Sequence, residues 1–479
     1  MARKSRVGGL NQTPRTRGRR STAVAWAVLA LTACAPPVQL DTDTRMGALQ
    51  QAPDGDFTVT AAAMVLNRYG RLGVAASRGA KQLTLSSAVD FAGLSVQPGD
   101  LLLVMQPQGA QLQTADSDQY GGVSALNSAG LFEFVAVAAV DGTTNRIMLD
   151  GTCGGLRNSY DPLGAAQVIR VPQYGSLTVN AGASVVALPW NGQVGGVVAV
   201  RAQSSLTVNG EIAATGQGFR GGPALPMGQS VADESPDFGG YIFAASSSGG
   251  AKGESIAGFT AAYLPAGGQG RGAPANGGGG GNAFKAGGGG GAGAGAAAAW
   301  TGQGVMSANV TGAAAWALDP GYKAANNQLT NSSGGGRGGY SAATASFNPL
   351  TVPPGDSSWQ GNFRRERGGR GGHPLALDAG ARLYFGGGGG AGDQNGLGAQ
   401  TSSSGSGGAG GGLVYLLAGS IQGAGRIAAS GAPGADTAGG SGAAQGAGGG
   451  GGGGAIILNA GAVGGSLLIE AQEIGRAHV

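Results

Sequence analysis

Residues 448 to 460 read GGGGGGGAIILNA, seven consecutive glycines set directly against a short apolar run. Glycine loses more backbone freedom on ordering than any other residue. Such a run is therefore either a flexible tether or an ordered segment that requires the absence of side chains. Further runs occupy 277–281, 287–291 and 386–390. Glycine supplies 102 of the 479 residues without the strict Gly-X-Y period of collagen, which excludes a triple helix. Only 11% of residues are charged while 41% are hydrophobic, the reverse of the balance that keeps a chain unfolded. An ordered core around the glycines is expected.

The segments beside the glycines repeat. GGVVAVRA (195–202), GGLVYLLA (411–418) and GGAIILNA (453–460) share one pattern, GEIAATG (210–216) matches GRIAASG (425–431), and SLTVN occurs at 176 and at 205. Alternate side chains of a strand face one way, so Val198, Val200 and Ala202 form one face, matched by Val414, Leu416, Ala418 and by Ile456, Leu458, Ala460. These read as equivalent levels of one core. Their uneven spacing excludes a simple tandem array and favours a solenoid carrying long insertions. The opposite face, with Tyr415 and Ile457, is also apolar and calls for a flat cover, for which the glycine runs are candidates. Polyglycine can form extended threefold helices that hydrogen-bond to their neighbours and pack tightly for want of Cβ atoms. Flexible glycine loops between strands remain the alternative at this point.

Ahead of the repeats, FTVT, KQLTLSSAV, DLLLVMQ, LFEFVAVAAV, RIMLDG and AAQVIRVPQ are short β-branched or aromatic-rich runs separated by turns. The expected fold class is all-β. An N-terminal β domain spans 56–172, and a Gly-rich β-solenoid with polyglycine-type extended helices spans 173–472, interrupted by insertions at about 223–276 and 296–380.

Both ends carry signals of another kind. Seven basic residues and no acid precede Cys34, followed by the 11-residue apolar run AVAWAVLALTA, which is short of the roughly 20 residues that span a bilayer. LTAC resembles a bacterial lipobox, which implies cleavage after residue 33 and lipidation of Cys34, and 34–55 reads as a flexible tether. Ala35, which is not Asp, points to the outer membrane. Of 29 basic residues, 22 remain after the leader against 25 acidic ones, so the apparent basicity belongs to the leader and does not suggest nucleic acid. Cys153 then has no partner cysteine and reads as a small buried hydrophobe. EIGRAHV, residues 473–479, matches the in-frame translation of a common sequencing adapter and is read as an artefact, which leaves His373 as the only natural histidine.

Chemistry-bearing patterns are sparse. His373 lies in GGRGGHPLAL and reads as an exposed loop residue, since no nucleophile or acid pattern accompanies it. The acids Asp54/Asp56, Asp116/Asp118 and Asp233/Glu234/Asp237 sit among turn residues where carboxylates are solvated. AGDQNG, with Asp393 and Asn395, offers a few calcium-type oxygens without the bidentate Glu of a full loop and reads as a turn. No catalytic residue, metal site or cofactor is expected. FRRERGGRGG concentrates Arg364, Arg365, Arg367 and Arg370, and RGG recurs at Arg220 and Arg337. On an exported protein this patch is a candidate contact for anionic glycans, or simply a solvated loop.

The combination of VIRVPQY, GFRGG and YFGGGGGAGDQNG with a GGLVYLLAGSI-type level resembles a module of glycine-rich surface proteins of myxobacteria and relatives, some named adventurous gliding motility proteins and others adhesin- or agglutinin-like. The resemblance covers about residues 56 to 472 and implies an exported, surface location, with no catalytic residues to carry over. The expected function is a non-enzymatic, lipid-anchored surface protein whose Gly-rich part is a rigid stalk or binding surface. Its expected partners are the outer membrane, surface glycans and other cell-surface proteins. The rivals are an inert envelope or matrix protein and a parallel β-helix enzyme acting on polysaccharide, which would need clustered acids on a strand face.

Overall fold

The structure is a computed structural model that describes residues 53–151, 154–224, 240–242, 249–258, 268–282, 285–295, 302, 336, 338–339, 367–376, 380–394, 402–439 and 445–472. Among these residues strands dominate and Ala88–Leu94 is the only α-helix. Three bodies are built on one another: a stack of parallel strands, a bundle of glycine helices, and an antiparallel barrel.

The stack consists of two sheets. The longer contains Phe57–Val59, Gln173–Val179, Val197–Val208, Leu413–Gln422 and Ala455–Val463 in that order, all parallel. The shorter contains Ser184–Val186, Glu211–Ala213, Arg426–Ala428 and Leu468–Glu470, again parallel. The sequence repeats occupy matching positions: Val198 pairs with Val414 and that with Ile456, Ala202 with Ala418 and Ala460, Ile212 with Ile427 and Ile469, and Leu177 with Leu206. The faces assigned from the alternation point between the two sheets, where Val198, Val200, Val414, Leu416, Val185, Ile212 and Ile427 form one buried cluster.

The glycine runs are ordered, and 386–393 lies at their centre. Gly386, Gly389 and Gly392 donate to the carbonyls of Gly411, Gly408 and Gly405. Gly387, Gly390 and Asp393 donate to Ala292, Gly289 and Ala286, while Gly388 and Ala391 donate to Glu254 and Ala251. The carbonyls of the same run accept from Phe219 and Gly222, from Gly278 and Gly281, and from Gly446, Gly449 and Gly452, with all of these distances between 2.8 and 3.3 Å. Partners change every residue and return every third, the signature of an extended helix with three residues per turn and no internal hydrogen bond. Six neighbouring segments surround it. A Cβ at Gly389 would fall on the Gly449 carbonyl, and one at Gly390 on that of Gly279, so the interior positions have no room for a side chain.

These helices are continuous with the stack. Residues 405–412 enter the level at Leu413 and 429–435 leave it, while 445–454 enter the next level at Ala455; Gly411 donates to Gly452 and Gly408 to Gly449, carrying the strand register back into the glycines. The answer to the pairing of seven glycines with AIILNA is that the run is the preceding side of the same level.

The barrel contains Arg68–Arg71, Gln167–Val171, Leu101–Met105, Phe132–Asp141, Arg146–Leu149 and Gln82–Thr84, neighbours in that order and all antiparallel. Hydrogen bonds from Gly73 to Thr84 (2.8 Å) and from Ser86 to Arg71 (2.9 Å) join the first strand to the last and close it. LLLVM (101–105) is buried throughout because Leu102 and Val104 fill the barrel while Leu101, Leu103 and Met105 face the stack.

Several expectations are corrected. The strand Phe57–Val59 belongs to the stack and not to the N-terminal domain, pairing with Leu177–Val179 across the whole barrel insertion. The cover over Tyr415 and Ile457 is mainly the barrel: Phe132 and Phe134 contact the Tyr415 ring, at 6.1 and 4.9 Å between centroids, and the glycine bundle contributes only its aromatic end through Phe219 and Phe385. Parts of both insertions, including 250–254 and 369–372, are bundle helices. The leader, Cys34, Cys153 and 473–479 lie outside the described residues.

Buried amides lock the barrel to the stack. Asn67 donates to the Ala199 carbonyl at 2.7 Å and accepts from its N–H at 3.0 Å, taking the place of a strand neighbour, and Gln167 treats Gly195 likewise at 3.0 and 2.9 Å.

One substitution type should act with opposite signs at two sites. A methyl at Gly451 falls on the Ala409 carbonyl, so Gly451→Ala should cost about 1–3 kcal/mol and accelerate amide exchange at Ile456 and Leu458. At Gly93, in the helix Ala88–Leu94, a methyl meets nothing within 4 Å, and Gly93→Ala should be neutral or stabilise by up to about 1 kcal/mol. Denaturant unfolding with exchange mass spectrometry measures both, and an unchanged exchange rate in Gly451→Ala would show that the run is a loose connector.

Candidate functional site

The polar chemistry gathers where the end of the glycine bundle meets the barrel. Phe219, Phe385 and Trp190 form a buried aromatic triangle, with centroids 5.4 to 6.3 Å apart, directly before the central run 386–393. Beside it Glu254, 1% exposed, accepts from Gln108 Nε2 (2.8 Å), Trp190 Nε1 (3.1 Å) and the Arg220 backbone N–H (3.0 Å) and guanidinium (2.9 and 3.2 Å). Its own carbonyl accepts from Gly388. A carboxylate satisfied on both oxygens in this way is a structural keystone that joins barrel, stack and bundle.

Lys252 is wholly buried and donates to the carbonyls of Tyr241, Gly270 and Gly272, with its ammonium 4.5 Å from the Tyr120 ring centroid. Burial pushes its pKa well below the ordinary lysine value, and the nearby charge of Asp116 acts the other way. The ammonium is a second donor to the Tyr241 and Gly270 carbonyls, which also accept from the Gly272 and Gly280 N–H groups.

His373 is mostly buried, and not the exposed loop residue expected from GGRGGHPLAL: its N–H donates to the Ala275 carbonyl, placing it in the bundle. Burial and the positive charge of Arg370 push its pKa down to about 4, against a hydrogen bond to the Tyr120 backbone, so the imidazole is neutral at pH 7.

Of the four arginines of FRRERGGRGG, Arg364 and Arg365 lie outside the described residues. Arg367 and Arg370 are half-buried; Arg370 Nη1 donates to the Asp118 carbonyl at 2.7 Å, and its guanidinium lies 5.8 Å from the Tyr241 ring, which Arg271 approaches at 5.3 Å. Arg370 braces the bundle end, and Arg367 is held there by its carbonyl, which accepts from the Asn282 N–H at 2.8 Å, so neither is a fully solvated loop residue. Asp56, Asp116 and Asp118 are exposed in irregular or turn segments, as expected, and Asp233, Glu234 and Asp237 lie outside the described residues. The exposed acids still have partners, Asp56 accepting from Ser176 and Asp116 from the Tyr241 N–H at 2.6 Å, while the half-buried Asp54 pairs with Arg170 at 2.9 Å. Asp393 is buried and continues the central glycine helix, so it is not in a turn; Asn395 is outside the described residues. Among the described residues no three His, Cys, Asp or Glu side chains come together where they could hold a metal ion.

Two open clefts flank the hairpin formed by Gln111–Leu112 and Val123–Ala125. The larger, about 580 Å³, lies between barrel and hairpin and reaches Ala257 of the bundle. The smaller, about 440 Å³, is bounded by Val123–Leu126 and His373–Ala376. Ser124 lines both. Sequence reasoning missed this hairpin because its residues carry no catalytic or ligating pattern.

Removing the Glu254 carboxylate should strand a partly buried guanidinium and two buried donors. Glu254→Ala is expected to cost about 3–5 kcal/mol and to alter Trp190 fluorescence in the folded state. For His373, the folded pKa lies below the value of 6.5, so the unfolded chain takes up the proton first. Its contribution leaves stability unchanged above about pH 6.5 and lowers it as the pH falls from there towards 4. His373→Gln should flatten that stretch of the melting-temperature profile, and the imidazole should titrate near 4 by NMR.

No protein-family model matches the chain, and comparison with curated proteins finds no match. Among solved structures, partial likenesses are found to the tailspike gp49 of Pseudomonas phage LKA1 (14% identity, 33% of this chain, TM-score 0.16) and to the tailspike gp54 of Acinetobacter baumannii bacteriophage AP22, solved in complex with A. baumannii capsular saccharide (12%, 33%, TM-score 0.16). A third is the tailspike gp61 of Pseudomonas phage phi297 (14%, 33%, TM-score 0.17). The matched part spans 23%, 27% and 29% of those three chains, respectively. At these scores the similarity carries no functional argument.

Proposed function

We propose that this chain is a non-enzymatic, lipid-anchored surface protein whose strand stack and glycine bundle form one rigid solenoid that holds a binding face away from the membrane, in adhesion or gliding. The observation that carries the reading is the central run 386–393, hydrogen-bonded on all sides to six other segments. Cross-bonding of that kind resists bending and local opening, as a spacer between a membrane and its surroundings requires. The leader and LTAC support an anchor at Cys34. The strands of the longer sheet carry no carboxylate, and the two on the shorter sheet, Glu211 and Glu470, are both engaged by Arg426, where a glycan-cleaving enzyme would need a free pair.

Cys34→Ser should abolish palmitate labelling and release the protein from membranes, and labelling that persisted would remove the anchor from this reading. Purified protein should liberate no reducing ends from neutral or acidic polysaccharides, whereas turnover would favour the enzymatic alternative.

A further inference from the structure

We infer that the two clefts flanking the hairpin at 111–125 form a binding site for a neutral polysaccharide chain, which crosses the hairpin at Ser124. This inference rests on the surface-protein reading above and names the ligand class of its binding face.

The chemistry of the walls selects the ligand. Gln111, Thr114 and Ser124 are exposed side chains facing the larger cleft, and none of the three has a hydrogen-bond partner among the described residues. Asn127 also lines this cleft, its amide nitrogen donating to the Gly109 carbonyl at 3.0 Å. Amides and hydroxyls that both donate and accept match sugar hydroxyls, which do the same. The apolar element is Leu163, 88% exposed at the rim, a surface for the C–H face of a sugar ring.

Charge argues against the other polymers. Among the described residues Asp161 is the only ionisable one on the larger cleft, its carboxylate accepting from the Leu163 N–H at 2.9 Å, and no described Lys or Arg lines either cleft. A polyanion would find no cation there, and a peptide would find no enclosed apolar pocket for a side chain.

The site is also held in place by the bundle. Asp116 accepts from Tyr241, the Asp118 carbonyl from Arg370, the Gly121 carbonyl from Ala275 at 2.9 Å, and Gly109 donates to Ile256 at 2.9 Å. A hairpin tied at several points to a cross-bonded scaffold loses little further freedom on binding, which favours weak, multi-contact ligands such as glycans.

Affinity electrophoresis of the purified full chain through gels containing mannan, galactomannan, mixed-linkage β-glucan, dextran or starch tests the inference, with alginate and polygalacturonate as polyanions. Retardation is expected in at least one neutral gel. Gln111→Ala combined with Ser124→Ala should weaken it at least about tenfold, and Ser124→Trp, which fills both clefts from an exposed position, should do the same with unchanged melting temperature. No retardation in any neutral gel, retardation by polyanions alone, or retardation that these variants leave unchanged would each overturn the site. Protease shaving of intact cells reports surface display independently, so display without retardation rejects the site alone, and absence of display rejects the reading beneath it.

Discussion

The structure depends on backbone groups of one glycine segment bonding outward in three directions at once. In a sheet each strand has two neighbours, and its side chains keep other layers about 10 Å away. In the run 386–393 the N–H and C=O vectors rotate by a third of a turn per residue, and the missing Cβ atoms let six segments approach closely enough to accept and donate. The entropy lost by ordering glycine is large, and here each ordered residue returns two backbone hydrogen bonds in a dry environment together with close contacts that no larger residue could make. Polyglycine is therefore the core of this part of the molecule, in the sense that Val and Leu are the core of the strand stack.

The same continuity explains the rest of the architecture. Each glycine segment entering a level sets the register of the strand that follows, as Gly411 to Gly452 and Leu413 to Ala455 show, so the bundle and the two sheets are three sides of one object. Where that object would expose an apolar face, at Tyr415 and Leu413, the barrel lies against it with Leu101, Leu103 and Met105. Polar groups trapped at the junctions are satisfied singly and specifically: Asn67 and Gln167 on backbone, Glu254 on five donors, Lys252 on three carbonyls. Each would carry a penalty if left unpaired, so each fixes one arrangement of the three bodies.

Rigidity and chemistry are thereby separated. The glycine positions at the centre of the bundle carry no side chain, and Glu254, Lys252, Arg370 and His373 beside them are engaged with backbone or with neighbouring side chains. Among the described residues the hairpin at 111–125 presents the neutral side chains of Gln111, Thr114 and Ser124 to the clefts and is tethered to the bundle end through Asp116 and Asp118.

Much of the stack was legible in the sequence, because a period of two within GGLVYLLA and GGAIILNA and their common pattern leave few ways to bury those faces. The composition likewise announced that glycine would be structural or disordered. Deciding between these needed the tertiary structure, since a glycine run has no local pattern and its order comes from partners on other segments, many of them more than a hundred residues away, such as Gly388 with Glu254 and Phe219 with Gly386. For the same reason Asp393 and His373 looked like loop residues: flanking glycines signal a turn locally, and only packing against other segments makes them interior. Alternation alone identified a second apolar face at Tyr415 and could not name its cover, because barrel and stack meet through side chains with no sequence relation to each other. The amino-acid sequence determined which faces must be buried and where side chains must be absent; the tertiary structure decided what each is buried against, because those contacts are long-range.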